Sequence, residues 1–165
     1  QVFDALWAAG ESLGLRPFGM RAMMSLRLDR FFGSWQREFS PDYTAAETGL
    51  DRFIQFDKPV EFIGCRIAQQ EKIAPPPREL CAFEVEALDC DVVGYEPIWQ
   101  DQRVVGFCTS GGYSHWLDKS IAFGFLPRNG EEGAVDFQIE LLGERRRALR
   151  LKTPPFDPEG FRMRQ

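Results

Sequence analysis

Three consecutive prolines, Pro75 to Pro77, divide the chain into halves with different hydrophobic periods. Proline has no N–H and a fixed φ, so such a run continues neither a helix nor a central strand. Before the run, apolar residues recur at helical spacing, and after it they alternate as in strands. We therefore predict two units, a mostly helical one over residues 1–75 and a strand-rich one over residues 76–165.

The first half contains two helical patterns. Apolar residues from Phe3 to Leu13 fit one helix, which Gly14 can end in a left-handed cap. A second pattern predicts a helix from about Met20 to Phe32, with one apolar stripe formed by Met20, Met24, Leu28 and Phe31. The following stretch to Gly64 is irregular, and its "EFIG" tetrapeptide is interpreted as a short extended piece.

In the second half, apolar and polar residues alternate over short stretches that are separated by turn residues, the pattern of short β-strands. The predicted strands are Leu80–Leu88, Val104–Thr109, Ser120–Leu126, Val135–Leu142 and Ala148–Lys152, with "YEPIW" as a further hairpin partner of "VVGF". Five or six such strands without an intervening helix favour a small antiparallel β-barrel. The predicted fold class is α+β, with a helical segment followed by this barrel.

Charge and hydropathy exclude several classes of partner. With 25 acidic against 20 basic residues and a net charge of -5, the chain lacks the basic balance that nucleic-acid binding needs. The apolar stretches are far shorter than a membrane span, so we expect no membrane partner and a cytoplasmic location. A helical pattern that begins almost at Gln1 suggests a piece of a longer protein.

The stretch "CTSGGYSHWLDKSIAFGF" contains the sole histidine, His115, beside Ser114 and near Lys119. Neighbours on a strand face opposite ways, which argues against a Ser–His catalytic pair. Gly111 and Gly112 are interpreted as serving a turn. Four cysteines without a CxxC pair make a zinc site improbable. We therefore predict neither catalytic nor metal-binding residues in this chain.

Five separated blocks carry a family resemblance. They are "GMRAMMSLRLDRFFGSWQREF", "TAAETGLDRFI", "FDKPVEFIG", "VGFCTSGGYSHWLDKSIAFGF" and "PPFDPEGFRMR". The chain resembles the carboxyl-terminal part of the aminomethyltransferase (glycine cleavage T-protein) family, and more closely the folate-binding half of dimethylglycine and sarcosine dehydrogenases. The resemblance implies the end of a folate-binding lobe before the prolines and the family's terminal barrel after them.

The resemblance also implies a function. It predicts a tetrahydrofolate-binding region that receives a one-carbon unit from a small amine substrate, with an FAD domain upstream in the dehydrogenase branch. The catalytic residues of such proteins belong to lobes absent here, so we expect no turnover from this chain alone. Its partners would be folate, the amine and the remaining lobes of the same polypeptide.

Four residues are implied to bind the cofactor. Trp35 falls where the T-proteins have a tyrosine, and Glu38 falls on the acidic residue that follows it. Arg21 lies two positions before Met23, which takes the place of a folate-contacting arginine, and Phe161 aligns with a carboxyl-terminal tyrosine. Trp35 has two interpretations, stacking on a folate ring or packing between helix and barrel, and both stay open. Whether His115 or Lys119 faces the folate is open as well.

Two other functions remain as alternatives. One is a stand-alone aminomethyltransferase of the T-protein type. The other is a non-catalytic folate-binding or interaction module, as in relatives that serve iron–sulfur assembly, whose "KGCYxGQE"-type signature has no match in this sequence.

Overall fold

The structure is a computed structural model that describes residues 1–87, 89–128 and 136–164, and for Met163 the backbone only. Three α-helices precede the sheet: α1 (Val2–Gly10), α2 (Met20–Asp29) and α3 (Cys65–Ile73). Short 3-10 turns lie at Glu11–Leu13, Asp51–Phe53 and Arg162–Arg164. None of the helices described is long and apolar enough to cross a bilayer.

The helix predictions are confirmed in part. Helix α1 and its 3-10 extension end at Gly14, whose φ of 78° is the predicted left-handed cap. Helix α2 ends three residues earlier than predicted, because the chain turns after Asp29 and Phe31 has a φ of 56°.

The prediction of an extended "EFIG" is wrong. Ile63 and Gly64 form a turn, and Gly64, with a φ of 87°, precedes helix α3 directly. Helix α3 has no counterpart among the predicted helices, because polar side chains dominate its nine residues and none of them is buried. Its apolar spacing was therefore too sparse to indicate a helix.

Six strands form a closed antiparallel barrel, which confirms the predicted α+β class. They are β1 (Arg78–Val85), β2 (Pro97–Gln100), β3 (Arg103–Ser114), β4 (Lys119–Pro127), β5 (Phe137–Leu141) and β6 (Glu144–Leu151). Their order around the barrel is β1-β4-β3-β2-β5-β6, and pairing of β1 with β6 closes it. Leu88 and Val135, predicted as strand ends, lie outside the described residues.

The core follows from the alternation of apolar residues along these strands. Phe83, Val85, Ile98, Cys108 and Ile139 are buried inside the barrel with neighbouring small side chains. A second cluster joins the helical half to the barrel, since Leu28 of α2 packs with Ala82, Ile121 and Phe123. Each fully buried valine, leucine, isoleucine or phenylalanine side chain contributes about 1.5–3 kcal/mol to stability.

Two of the three arginines in the run Arg145–Arg147 of β6 pair with carboxylates. Arg146 pairs with Glu144 at 2.8 Å and with Asp89 at 3.3 Å, and Arg147 pairs with Asp136 at 3.1 Å. Arg145 instead lies over the ring of Trp99, at 3.6 Å.

The prediction that Gly111 and Gly112 serve a turn is wrong. Both lie inside β3, paired with Ala122 and Ile121 of β4, and the turn consists of residues 115–118. Gly111 is needed because another chain segment passes close to it. A Cβ there would lie 2.5 Å from the Cβ of Val92 and 2.9 Å from the carbonyl oxygen of Ile121.

Substituting the two glycines one at a time tests whether close packing is the reason for glycine at position 111. Gly111→Ala should lower the free energy of unfolding by about 1–3 kcal/mol, because the new methyl meets a backbone that cannot move. Gly112→Ala should cost less, since its Cβ would meet only the Cδ1 of Leu28, at 3.3 Å. Urea unfolding of both variants measures the difference, and equal losses would contradict this explanation.

Candidate functional site

Glu38 is fully buried and lies at the centre of a polar network between the helical half and the barrel. Its Oε2 accepts hydrogen bonds from Arg27 Nη1 at 3.1 Å and from the Ser34 N–H at 2.7 Å. Its Oε1 accepts from the hydroxyls of Thr109, at 2.6 Å, and Ser110. Arg27 also donates to Ser110 Oγ at 2.7 Å. A carboxylate offers about four acceptor positions, so each oxygen of Glu38 is fully used within the protein.

The network also decides the ionisation of Glu38. Burial by itself would raise the pKa of its carboxyl, but hydrogen bonds from Ser110, Ser34 and Thr109 and the charge of Arg27 together lower it. Burial lowers the pKa of Arg27, and Glu38 opposes that effect. Glu38 is therefore held as a carboxylate opposite a buried guanidinium, the arrangement in which each charge compensates the other.

This network fixes the turn of residues 34–39 against β3. The N–H groups of Arg37 and Phe39 donate to the Ser34 carbonyl, at 3.2 and 3.0 Å, which closes the turn. Arg37 Nη1 donates to the Thr109 carbonyl at 3.0 Å. Trp35 lies on this turn with its side chain 72% exposed. The turn thus presents a flat indole ring on a rigid base.

The other two predicted cofactor residues lie elsewhere. Arg21 is exposed in the first turn of α2. Phe161 is 65% exposed and lies in the carboxyl-terminal segment, residues 152–164, which follows β6. Among the described residues, no hydrogen bond, ion pair or ring contact joins any two of Arg21, Trp35, Glu38 and Phe161. Their positions along the sequence carry no information on the distances between them.

Ser114, His115 and Lys119 do not form a catalytic group. The buried Ser114 hydroxyl donates to Asp29 and accepts from the Leu117 N–H at 3.0 Å. His115 is exposed and packs edge-on against Tyr113, with ring centroids 5.1 Å apart. Lys119 pairs with Glu84 at 3.5 Å. The hydroxyl of Ser114 therefore anchors the turn to the end of α2.

A cleft of about 820 Å³ lies where residues 31–53 face the barrel. Its walls carry five phenylalanine rings, contributed by Phe31, Phe32, Phe39, Phe53 and Phe123. Pockets of this size between structural units are common ligand sites. None of the four predicted cofactor residues lines it, and sequence analysis missed it because its rings come from four separate segments.

In the part of the chain that the structure describes, no group of three or more His, Cys, Asp or Glu side chains is placed to hold a metal ion. The four cysteines are free thiols. Burial raises the pKa of Cys81 to about 12 and raises that of Cys108 as well, so neither is a thiolate at neutral pH.

Replacing Glu38 by glutamine should reveal the cost of the unpaired guanidinium. At neutral pH, Glu38→Gln should lower the free energy of unfolding by about 3 kcal/mol, because Arg27 keeps a buried charge without its partner. The folded-state pKa of Glu38 is depressed, so its contribution is present above the ordinary carboxyl range and is lost as pH falls through the lowered pKa. The difference from wild type should therefore shrink below about pH 4.5.

Urea unfolding between pH 7 and pH 3 provides the measurement. The matched control is Asp136→Asn, which breaks the exposed pair with Arg147 and should change stability little. A stability difference for Glu38→Gln that is constant across this pH range would contradict the assignment.

Comparison with known proteins gives matches over nearly the whole chain. The family model of the glycine cleavage T-protein C-terminal barrel domain matches residues 78–157, and that of the GCVT N-terminal domain matches residues 1–58. The solved structure of the glycine cleavage system aminomethyltransferase T from Bartonella henselae has a TM-score of 0.71 and 22% identity, covering 84% of this chain and 38% of that one. At this identity the likeness concerns the fold.

Curated relatives share more sequence. Mitochondrial dimethylglycine dehydrogenase of Homo sapiens is 36% identical over 93% of this chain, and mitochondrial sarcosine dehydrogenase of Homo sapiens is 30% identical over 99% of it. The chain spans 18% of the length of each of these dehydrogenases. The aminomethyltransferase of Shouchella clausii is 32% identical over 93% of the chain, which spans 42% of that protein. The chain belongs to the aminomethyltransferase (glycine cleavage T-protein) family, and its relatives include dimethylglycine and sarcosine dehydrogenases.

Proposed function

We propose that this region binds tetrahydrofolate and, within a longer polypeptide of the dimethylglycine or sarcosine dehydrogenase type, helps to pass a one-carbon unit to it. Membership of the aminomethyltransferase family supports the proposal. So does the similarity to the two dehydrogenases over more than nine-tenths of the chain. In this proposal an iminium carbon formed from an N-methyl amine is the group transferred. An upstream FAD domain would carry out the oxidation.

The exposure of Trp35 is the observation that carries the folate part of the proposal. If the indole served packing between helix and barrel, it would be buried there, yet 72% of it is accessible. A large exposed aromatic ring on a rigid turn is suited to stacking on a pteridine or aminobenzoyl ring. Trp35 is therefore the residue we propose to contact the folate.

The remaining predicted residues take different parts in the proposal. Arg21 and Phe161 have exposed side chains available to a ligand. Glu38 has no unpaired oxygen, so its contribution is to hold the turn that carries Trp35. The substrate carbon would be handled by residues of the other lobes.

The helical segment offers a surface for those lobes. Exposed large apolar residues are concentrated in residues 2–26, and they include Phe3, Leu6, Leu13, Phe18 and Met20. Exposed apolar surface of this kind marks an interaction site. We propose that it packs against the rest of the same polypeptide and that the division into two units lies at Pro75 to Pro77.

A stand-alone aminomethyltransferase is the second candidate. It is favoured by the similarity to the Shouchella clausii aminomethyltransferase, of which this chain spans a larger share than of the dehydrogenases. Both candidates require the same folate contact. They differ in whether a flavin domain precedes the folate region, which the gene sequence upstream decides.

Removal of the indole tests the folate contact. In the full-length polypeptide, Trp35→Ala should raise the dissociation constant for tetrahydrofolate about tenfold, because one stacking contact contributes about 1.4 kcal/mol. The thermal midpoint should change little, since the side chain is mostly solvent-exposed. Isothermal titration calorimetry and a thermal melt measure the two quantities.

Phe53→Ala is the matched variant, because Phe53 is equally exposed but lies at the phenylalanine-lined cleft. Its affinity should equal that of wild type. Loss of affinity in Phe53→Ala with none in Trp35→Ala would place the folate in the cleft and contradict the role of Trp35.

A further inference from the structure

The carboxyl-terminal segment after β6 lies across the end of α2 and the turn between β3 and β4. The Phe156 N–H donates to the Asp29 carbonyl at 3.1 Å. Trp116 Nε1 donates to the Pro155 carbonyl at 3.1 Å, and the rings of Trp116 and Phe156 pack edge to face with centroids 5.0 Å apart. Three parts of the chain that are distant in sequence therefore meet at one junction.

An ion pair that is largely shielded from water holds this junction. Asp157 Oδ2 lies 3.3 Å from Arg30 Nη1, and the two side chains are only 5% and 15% exposed. The same Arg30 nitrogen donates to the Phe156 carbonyl at 3.2 Å. Ion pairs that are shielded from water are screened far less than surface pairs. The side chain of Arg30 thus contacts both a backbone carbonyl and a side-chain carboxylate of the segment.

Asp157 also sets the direction of the residues that follow. Its carboxylate accepts the Arg162 N–H, with N–O distances of 3.2 and 3.3 Å. Its φ of 45° turns the chain, in a region that aspartate tolerates better than most residues. Arg162 then lies over the rings of Trp116 and Phe156, at 5.9 and 5.3 Å. The placement of Phe161, directly before Arg162, therefore depends on Asp157.

Arg30 connects this junction with the polar network of Glu38. It is the residue directly after α2, three residues beyond Arg27, so both arginines lie at the same helix end. Arg27 holds Glu38 and the turn that carries Trp35, while Arg30 holds Asp157 and the segment that carries Phe161. Arg30 also lies over the ring of Phe32, at 5.5 Å. One helix end thus supports both segments that carry proposed folate contacts.

We propose that Asp157 is a positioning residue for ligand binding, acting through Arg30 to hold the carboxyl-terminal segment against the end of α2 and the turn between β3 and β4. The inference rests on the proposed folate function, since tetrahydrofolate is the ligand whose binding the segment would complete. Asp157 does not itself contact the ligand. Its effect on affinity is exerted through the placement of Phe161.

The test compares variants of the full-length polypeptide at a temperature at which all are folded. Asp157→Asn keeps the size of the side chain and removes its charge, and it should raise the dissociation constant for tetrahydrofolate about tenfold. Arg30→Met should have a similar effect, and Arg30→Lys should recover part of the loss, because it restores the charge on a side chain that reaches less far. Asp136→Asn, at the exposed pair with Arg147, is the control and should bind as wild type.

A purely structural role predicts a different pattern. It would lower the thermal midpoint of Asp157→Asn while leaving its affinity at the wild-type value, and that result would overturn the inference. Should Asp157→Asn fail to fold, an affinity of Arg30→Met equal to that of wild type would overturn it. If wild type itself binds no tetrahydrofolate, the proposed function fails. That result is distinct from failure of this inference, in which wild type binds tetrahydrofolate and Asp157→Asn binds it equally well.

Discussion

The buried ion pair between Arg27 and Glu38 is the interaction on which the arrangement of the two halves depends. Removing two charges from water is expensive, and the cost is offset only where further hydrogen bonds complete the pair. Glu38 meets that condition with donors from Ser34, Thr109 and Ser110. Because those donors come from the turn and from β3, the condition is satisfied only when helix, turn and barrel are in their native positions.

The apolar contacts around the ion pair hold the helical half close to the barrel, while the polar contacts set how the 34–39 turn is oriented on it. Leu28 packs on Phe123 and Ile121 of the barrel, and such contacts tolerate small displacements. Hydrogen bonds to a charged group lose strength steeply when geometry changes. Glu38 therefore fixes the orientation of the 34–39 turn more narrowly than hydrophobic packing does. A ring presented on that turn, as Trp35 is, loses little freedom on binding a ligand.

The sequence predicted the barrel well, because alternation of apolar residues states directly which face of a strand is buried. Residues 137–141 show this most clearly, with Phe137, Ile139 and Leu141 inward and the residues between them partly exposed. The glycine pair was misinterpreted because glycine indicates a turn only when φ requires it. Gly111 is instead a position where Val92 leaves no space for a side chain.

The candidate site was predicted less completely, for a different reason. A family resemblance points to Glu38 but does not show that its partners lie 71 and 72 residues away on β3. Nor does any local pattern show that Asp157 meets Arg30, across more than 120 residues. Such contacts depend on how the barrel closes, and closure is a property of the whole strand order. Helix α3 has mostly polar side chains and no buried residue, so the sequence carries no clear apolar stripe that would predict it.

Hydrogen exchange at the turn in Glu38→Gln tests this account most directly. The Ser34 N–H bonds to Glu38, and the Arg37 and Phe39 N–H groups close the turn on the Ser34 carbonyl. The account predicts that these three amides lose protection in Glu38→Gln by about a factor of 100, the equivalent of about 2.7 kcal/mol. In Glu38→Gln, amides between β5 and β6 should lose only the protection that matches the lowered global stability, and they should stay better protected than the amides of the turn. Unchanged protection at the turn would contradict the claim that Glu38 holds the turn in place.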